Sequence, residues 1–433
     1  MPIDAPVAAP ERSGVGRRLR GGASETFRSL GVRNFRLFFT GQLISQIGNW
    51  LTLIAQTLLV LHLGGSGLAV GVLTASQFLP VLLLGAWAGL VADRSDKRKL
   101  LLVVQTLAMC QSFALAALAF SGDPPLWSIY ALAFAGGCTL AFDNPTRRSF
   151  VVEMVPEDHV NNAVSLNTAL MTSSRVVGPA LAGLLITLVG YGWCFLVDGL
   201  SYVAVLVSLV LIQTSALRPA PVTPKGRRQV RAGLRYVRQV RELWVPLVMM
   251  AVVGTFTFNF QVVIPLFVDD SLHGDETLFT LLFSVISVGS VIGALASARR
   301  TDVRVHAVVV ASAAFGATML LLSVTPTRAL AFPAGLLMGF ASTRFMTAST
   351  AIVQVRADAS MRGRVLALQA MVFLGSTPIG GPLLGAVCDA FGARAGVALG
   401  GLAALAAAAW GVWIQRGEPA GVPIPVPAGG SGG

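Results

Sequence analysis

Four amide side chains recur on one face of a segment near the start of the chain. Gln42, Gln46, Asn49 and Gln56 follow one another at intervals of 4, 3 and 7 residues. At about 3.6 residues per turn, this spacing places them in one stripe along a helix. Amide groups donate and accept hydrogen bonds, so the stripe can bind a polar ligand or join neighbouring helices. We favour the first interpretation and predict that Gln42, Gln46 and Asn49 line a ligand cavity together with Gln369.

Charged side chains that stand within long apolar segments form a second group of candidates. Asp198, Asp143 and Arg175 are candidates for carrying a proton or exchanging charge partners, because an ionisable group in apolar surroundings must find a partner or water. Arg344 is the candidate for holding an anionic group of a ligand, since a guanidinium can bind a carboxylate through two parallel hydrogen bonds. For Arg175 the alternative is a bond to carbonyl groups that the nearby Pro179 leaves free.

The composition identifies the surroundings of these residues. Of 433 residues, 54% are apolar and 12% are charged, and the mean hydropathy is +0.72, which excludes a water-soluble globular protein. Repeated stretches of about 20 residues carry almost no charge, and this length crosses a hydrocarbon core of about 30 Å as a helix. The stretches do not alternate between apolar and polar residues, as the strands of a membrane barrel do. We therefore predict an all-α membrane protein.

Twelve segments have the length and hydropathy of transmembrane helices, and they fall into two sets of six. The predicted spans are 36–63, 67–92, 99–120, 126–146, 161–189, 192–213, 243–268, 276–298, 304–324, 328–350, 362–391 and 393–415. The predicted organisation is a disordered basic tail (1–35), a six-helix bundle (36–213), a basic cytoplasmic linker (214–242), a second six-helix bundle (243–415) and a disordered tail (416–433).

The net charge of +12 is explained by topology. If both termini are cytoplasmic, 28 of the 32 lysines and arginines lie in the inner connections and tails, two lie outside and two lie within spans. Cytoplasmic loops of membrane proteins carry such an excess, so the basicity requires no nucleic-acid partner. The excess of arginine over lysine is typical of a GC-rich bacterial genome. These patterns predict a multi-pass protein of the bacterial inner membrane with both termini in the cytoplasm, in contact with the lipid bilayer and active as a monomer.

The two sets of six spans repeat one plan. Between spans 4 and 5 and between spans 10 and 11, Asp158 corresponds to Asp358, and Gly178-Pro179 corresponds to Gly381-Pro382. Asn167 likewise corresponds to Gln369. Glycine-rich membrane helices can look alike by chance. The matches, however, keep the same helix number in each half, which indicates two pseudo-symmetric bundles.

Two local motifs identify a family. The segment after span 2 contains Gly89, Asp93, Arg94, Arg98 and Lys99, and span 5 contains Gly178, Pro179 and Gly183. With the runs Asp143-Asn-Pro-Thr-Arg-Arg148 and Arg362-Gly-Arg-Val365, they resemble the major facilitator superfamily, in particular the branch of drug and macrolide efflux and siderophore export proteins. The resemblance covers Asn34 to about Gln415.

The resemblance implies roles for both motifs. Gly89 would let two helices touch, and Asp93 with the following basic residues would lock the cytoplasmic ends as a gate. Gly178, Pro179 and Gly183 resemble a motif of antiporters and would form a kink. The family's proton-coupled members carry an acidic residue near Asn49 and an arginine in helix 4, and neither is predicted here.

The resulting hypothesis is a secondary transporter. The resemblance favours an exporter of amphiphilic small molecules that works by alternating access and exchanges its substrate for protons. The alternative is a proton-coupled uptake symporter for a sugar or organic acid, for which we expect more charged side chains in the spans. The chain has no phosphate-binding GxxxxGK[ST] loop, no metal pattern and no clustered catalytic residues, so we predict neither an ATP-driven pump nor an enzyme, and no cofactor.

Overall fold

The computed structural model describes residues 26–218, 229–298 and 304–416, and within these ranges it is helical with no strand. Twelve helices in this part of the chain are long and apolar enough to span a membrane, which confirms the predicted fold class. They are α1 (Arg33–His62), α2 (Gly67–Arg94), α3 (Lys97–Phe120), α4 (Leu126–Glu153), α5 (Val160–Val189), α6 (Tyr191–Leu211), α7 (Arg241–Ser271), α8 (Glu276–Ala298), α9 (Val305–Ser323), α10 (Arg328–Arg356), α11 (Ala359–Phe391) and α12 (Ala393–Arg416).

Helix α4 is longer than the sequence predicted. The predicted span ends at residue 146, whereas the helix continues through Pro145 to Glu153. It therefore includes Arg147, which we had counted as a loop charge. The extension carries three charged residues, of which Arg148 is exposed. The two buried ones are paired: Arg147 with Asp143, and Glu153 with Lys97 at 2.7 Å. Because the charges are compensated, the helix can continue where hydropathy alone predicts its end.

Helix α7 is broken where a continuous span was predicted. Its α-helical parts are Arg241–Phe256 and Phe260–Leu266, followed by a π-helical turn at Phe267–Ser271. At the break, the amide of Asn259 donates to the Thr255 carbonyl at 2.8 Å, and the hydroxyl of Thr257 donates to the Gly400 carbonyl at 3.0 Å. Backbone groups within a membrane must be satisfied internally, and these side chains supply part of the bonding that the break removes.

Helical structure is already present within the predicted tail of residues 1–35. A 3₁₀ turn occupies Arg28–Gly31, and α1 begins at Arg33. The side chain of Asn34 exchanges hydrogen bonds of 2.9 and 3.1 Å with the backbone of Gln213, which fixes this segment against the end of α6. Residues 1–25 and 417–433, predicted as tails, lie outside the described residues, as do 219–228 of the predicted linker. The described residues of the linker include a 3₁₀ turn, Thr214–Ala216, and a helix, Gln229–Gln239.

The packing of the helices repeats between the two halves. In the first half, α1 packs on α5 and α6, α2 on α4, and α3 on α4 and α6. Adding six to each number gives pairs that also pack: α7 on α11 and α12, α8 on α10, and α9 on α10 and α12. The main contacts between the halves, α2 with α11 and α5 with α8, exchange under the same operation. The halves are therefore equivalent in packing, although the domain limits given above remain a prediction.

Two single-residue turns reflect the same repeat. Gly190 links α5 to α6 with φ 90°, and Gly392 links α11 to α12 with φ 84°. This backbone conformation is readily adopted only by glycine, so one residue can reverse the chain between two long helices. The turns occupy equivalent positions in the two halves.

The bundle has two membrane faces. We define the basic face as the one with both ends of the bundle, Arg33 and Arg416, together with the connections that follow the even-numbered helices. The opposite face carries the connections that follow the odd-numbered helices, which include Gly190 and Gly392.

Helices α2 and α11 touch near the opposite face and diverge toward the basic face. A Cβ atom added to Gly71 would lie 2.5 Å from the Gly381 carbonyl oxygen, so the two backbones are in direct contact there. At Gly85 and Gly89, nearer the basic face, a Cβ atom would have no neighbour within 4 Å. The expectation that Gly89 brings two helices together is therefore wrong for this conformation, because the helices have already separated at that level.

This geometry predicts different tolerance to one substitution at two glycines of α2. Gly71→Val is expected to destabilise the protein by about 1–3 kcal/mol, because the added atoms overlap a backbone that cannot move without separating the halves. The measurement is the thermal unfolding midpoint of the purified protein. Gly85→Val is the matched control and should leave the midpoint nearly unchanged. Equal effects of the two variants would contradict the close contact at Gly71.

Candidate substrate site

A cavity of about 900 Å³ lies between the two halves. Its walls include Asn49 and Trp50 near the middle of α1, and Val151 and Val164 near the basic-face ends of α4 and α5. The cavity therefore extends from the middle of the membrane toward the basic face. This follows from the divergence of the helices, which leaves space only on that side of the contact between α2 and α11.

The two halves contribute different chemistry to the cavity. The first half supplies most of the amide groups and all of the charged groups of the lining. The second half contributes small and mildly polar residues and one amide. The first-half amides are Gln46, Asn49, Gln56, Gln77, Gln105, Gln111, Asn144 and Asn167, and the second-half residues are Gln261, Ser287, Ser290, Ala294 and Thr343.

Trp50 lines the inner end of the cavity, and the buried ring of Phe283 packs against it; we call this pair the ceiling. Their ring centroids are 6.1 Å apart, and they join α1 of the first half to α8 of the second. Gly178 explains how the indole fits, because a side chain at this position of α5 would overlap the Cβ and ring of Trp50. The Gly-Pro pair that the sequence suggested as a kink thus has a packing role here. Helix α5 continues uninterrupted through Pro179.

Above this ceiling, contacts between α5 and α8 close the opposite face. Gly183 packs against the Thr280 side chain, one turn of α8 beyond Phe283. Glu276 is the first residue of α8, and its carboxylate accepts a hydrogen bond from the Tyr191 hydroxyl. One face of α8 therefore passes from the open cavity through the ceiling to the sealed end. Along it lie the residues at 290, 287, 283, 280 and 276.

A carboxylate of the second half strengthens this closure at α2. Asp389, near the end of α11, accepts hydrogen bonds from the backbone N–H groups of Gly67 and Leu68 at 2.6 and 2.9 Å. These are the first two residues of α2, whose N–H groups have no partner within the helix. A carboxylate at a helix N-terminus also interacts favourably with the helix dipole. The bond joins the halves, so it must break whenever the opposite face opens.

A buried polar network lies on the first-half wall, toward the basic face. Arg147 pairs with Asp143 one turn earlier on α4 and donates to the Gln42 amide oxygen at 3.1 Å. Asp143 also accepts a hydrogen bond of 2.7 Å from Gln105 of α3. The network joins α1, α3 and α4, and both charges of the pair are compensated within it.

Asp198 occupies a second polar centre, deeper in the first half. It is 1% exposed and accepts hydrogen bonds from the hydroxyls of Thr52 and Ser112 at 2.6 and 2.7 Å. Within the described ranges, no lysine, arginine or histidine forms an ion pair with this carboxyl. Gly48 leaves the space that Asp198 needs against α1, since a Cβ there would lie 2.5 Å from its Oδ1. Asp198 is thus a membrane-depth carboxyl held by hydroxyl donors.

The cavity includes only some of the residues that the sequence predicted. Gln46, Asn49, Arg175, Asp143 and Asp198 line it.

Three predicted cavity residues, Gln42, Gln369 and Arg344, lie elsewhere. The Gln42 oxygen accepts bonds from Arg147 and Gln46, and Gln369 donates to the Ser349 hydroxyl at 3.1 Å. Arg344 lies 5.9 Å from the ring of Phe340 on its own helix. Helical spacing identified the correct helices, but the neighbouring side chains decide which amides and arginines reach the cavity.

The predicted gate residues act within the first half in this conformation. Arg98 donates to the backbone carbonyls of Leu209 and Val210 at 2.6 and 3.0 Å, which places its charge at the C-terminal end of α6. Arg94 and Lys99 are exposed, and Asp93 lies in the last turn of α2. The gating role of these residues remains a prediction.

Sequence reasoning missed Arg147 and Lys97, which form the two buried ion pairs of α4. Two signals were available for these pairs. Asp143 and Arg147 are four residues apart, a spacing at which opposite charges meet on a helix. Glu153 interrupts the apolar run Phe150 to Val155 and needs a cation near it. Among residues 26–218, 229–298 and 304–416, no group of three His, Cys, Asp or Glu side chains could hold a metal ion.

Twelve spanning helices in two equivalent halves, around a cavity that extends to one face, define a membrane transporter and not an enzyme. The chain belongs to the major facilitator superfamily, in the family described as Transmembrane secretion effector, whose model matches residues 24–418. The resemblance found in the motifs is thereby confirmed.

Relatives with known names support the same branch. The chain is 23% identical to the Staphyloferrin A transporter of Staphylococcus aureus, over 82% of this chain and 90% of that protein. It is 25% identical to the Multidrug efflux pump Tap of Mycolicibacterium fortuitum, over 83% and 90%. A match of 28% identity to the uncharacterized MFS-type transporter YfiS of Bacillus subtilis covers 49% of this chain and only 51% of that relative.

The fold also matches solved structures. A bacterial homologue of the human lysosomal transporter Spinster aligns with a TM-score of 0.68 at 13% identity, over 89% of this chain and 95% of that one. At this identity the likeness concerns the fold alone.

The ion pair of α4 generates a stability prediction. Asp143→Asn is expected to cost about 3 kcal/mol of unfolding free energy, because it leaves Arg147 buried without its counter-charge. The double variant Asp143→Asn/Arg147→Gln should recover part of that loss, since both charges are then absent. Thermal unfolding of the purified variants measures both effects. Arg148→Gln, at the exposed neighbouring position, is the control and should change stability by no more than about 0.5 kcal/mol. A double variant less stable than Asp143→Asn would contradict the pairing.

Proposed function

We propose that this chain is a secondary active exporter of amphiphilic small molecules such as drugs, antibiotics, natural products or siderophores. One observation carries the proposal: the cavity is open toward the basic face and closed toward the opposite face, with amides and the Trp50 indole on the first-half wall and small, mildly polar residues on the second-half wall. Mixed linings of this kind suit ligands with a polar part and an apolar part. The closed end fits one state of an alternating-access cycle.

The direction of transport is supported by charge and by the relatives. Lysine and arginine concentrate in the connections of the basic face, and by the positive-inside rule that face is cytoplasmic. Both termini would then lie in the cytoplasm and the chain in a bacterial inner membrane. A cavity open to the cytoplasm can collect amphiphiles for export. Two relatives carry the names of an efflux pump and a siderophore transporter, in keeping with this direction.

Proton exchange is the proposed source of energy, and Asp198 is the proposed carrier. For a carboxyl at membrane depth that has hydroxyl donors and no cation, the neutral and the charged form can differ only modestly in free energy. Proton loading requires such a small difference. The Asp143 and Arg147 pair is the second candidate, because an ion pair can exchange its partner for a proton. Asn49, where the resemblance implies an acid, instead accepts a hydrogen bond of 2.7 Å from Tyr202 of the same helix as Asp198.

The experiment is accumulation of a panel of dyes and antibiotics in a pump-deficient bacterium that expresses this chain. Export predicts lower accumulation than in cells with empty vector, and proton exchange predicts that a protonophore abolishes the difference. Asp198→Asn should also abolish it at normal membrane levels, whereas Asp269→Asn, an exposed carboxylate of the opposite face, should not. Higher accumulation would favour the uptake symporter, and lower accumulation that survives the protonophore would contradict proton coupling.

A further inference from the structure

Arg175 lines the cavity beside Trp50, and no acidic side chain among the described residues forms an ion pair with it. Its guanidinium carbon lies 5.7 Å from the centroid of the Trp50 ring, and the side chain is exposed to the cavity that it lines. Within the described residues it forms neither an ion pair nor a hydrogen bond to carbonyl groups, the alternative that the sequence left open. A guanidinium stacked on an indole keeps the N–H groups at its edge available for a ligand.

The other charges of the lining leave the cavity positive. Arg147 is neutralised by Asp143, and Asp198 is enclosed by hydroxyl groups. Arg148, exposed on the basic-face side of the lining, adds a second cation on the path to Arg175. A cleft with one sign of charge and low-dielectric walls raises the local concentration of opposite charges. The route into the cavity past Arg148 and the site at Arg175 therefore both favour an anionic ligand.

The surroundings of Arg175 define the rest of the ligand. Trp50 offers aromatic surface at the ceiling, and Ser287 and Ser290 lie on the facing wall. The feature belongs to one half only, because the repeat that relates Gly178 to Gly381 places Pro378 at the position equivalent to Arg175. A ligand would thus bind in one orientation, with its charged group toward the first half.

We propose that Arg175 and Trp50 form the recognition site for an acidic group, and that the preferred substrates are amphiphiles that carry a carboxylate next to a planar apolar body. The proposal rests on the proposed function, since it assigns the substrate class of the same cavity. The carboxylate accepts two parallel hydrogen bonds from the guanidinium, and the planar body lies against the aromatic ceiling.

The test uses two probes with one skeleton and opposite charge. Fluorescein carries a free carboxylate and an ionisable phenol on the xanthene and phenyl framework. Rhodamine 123 has the same framework with amino groups in place of the xanthene oxygens and a methyl ester in place of the carboxylate, so it is cationic. Binding of each dye to the full chain in lipid nanodiscs is followed by fluorescence anisotropy. The wild-type chain is expected to prefer fluorescein. Arg175→Gln should weaken fluorescein binding by about 10- to 100-fold and leave rhodamine 123 binding unchanged or stronger.

Two further variants make the result specific. Arg344→Gln removes an arginine of the second half that lies outside the cavity and should leave fluorescein affinity unchanged. Arg175→Lys keeps the charge without the planar fork, so it should retain the preference for fluorescein at reduced affinity, and it serves where Arg175→Gln fails to fold. Equal loss of both dyes in Arg175→Gln, wild-type preference for rhodamine 123, or no binding of fluorescein would each overturn the proposal.

The substrate class and the direction of transport are measured separately. Binding requires no gradient, whereas uptake of dye into inside-out membrane vesicles reports export. If fluorescein binds through Arg175 but is not moved, the anion site is supported and the exporter proposal fails. If rhodamine 123 is exported while Arg175→Gln has no effect on either dye, export is supported and the anion site is overturned.

Discussion

The backbone contact between α2 and α11 determines where the protein is open and where it is closed. Gly71 and Gly381 bring two helices of different halves into direct contact near the opposite face, and Asp389 fixes the first turn of α2 beside them. The cavity on the basic-face side is the geometric result, and its polar lining is accessible because no second contact of this kind closes α2 and α11 at Gly85 or Gly89.

Within that frame, the polar groups follow from the cost of leaving them unbonded in a membrane. Arg147 and Asp143 compensate each other, Asp198 is held by Thr52 and Ser112, and the break in α7 is bonded by Asn259. These arrangements are internal and need no ligand. Arg175 differs from them because its edge faces the cavity, and this difference separates groups that stabilise the fold from a group available to a substrate.

Much of the fold could be predicted from the sequence, because the membrane restricts a chain to spans of fixed length and low charge. That constraint gave twelve helices, and the correspondence of Gly178-Pro179 with Gly381-Pro382 indicated their two halves. The same constraint says less about the residues at which helices end. Arg147 was assigned to a loop because hydropathy counts a charge without its partner, and the break after Phe256 has no glycine or proline to mark it.

The site was less predictable than the fold because exposure to the cavity depends on neighbours that are distant in sequence. Arg175 and Arg344 both lie within predicted spans, and nothing in the sequence separates them. Arg175 faces the cavity because Gly178 admits the indole of Trp50, on which the guanidinium stacks. Asp198 could be proposed from its position alone, since a carboxyl in so apolar a segment has few other roles. The two hydroxyl residues and the glycine that enclose Asp198 could not be predicted in this way.

In the proposed cycle, the position of Trp50 would link substrate binding to the change of access. Its ring meets Phe283 across the two halves and also lies under Arg175, so the aromatic surface that a bound amphiphile would cover is part of the closed ceiling. A ligand shifts a conformational equilibrium only by its difference in affinity for the two states. An aromatic pair contributes only about 0.5–1.5 kcal/mol beyond its buried area, so a ligand that replaces this contact can offset its loss. Two parts of the closure then remain intact, because a ligand at the ceiling does not contact them. They are the hydrogen bonds that Asp389 accepts and the bond between Tyr191 and Glu276. In this proposal a second event is needed to open the opposite face. Protonation of a membrane-depth carboxyl is the proposed candidate for that event.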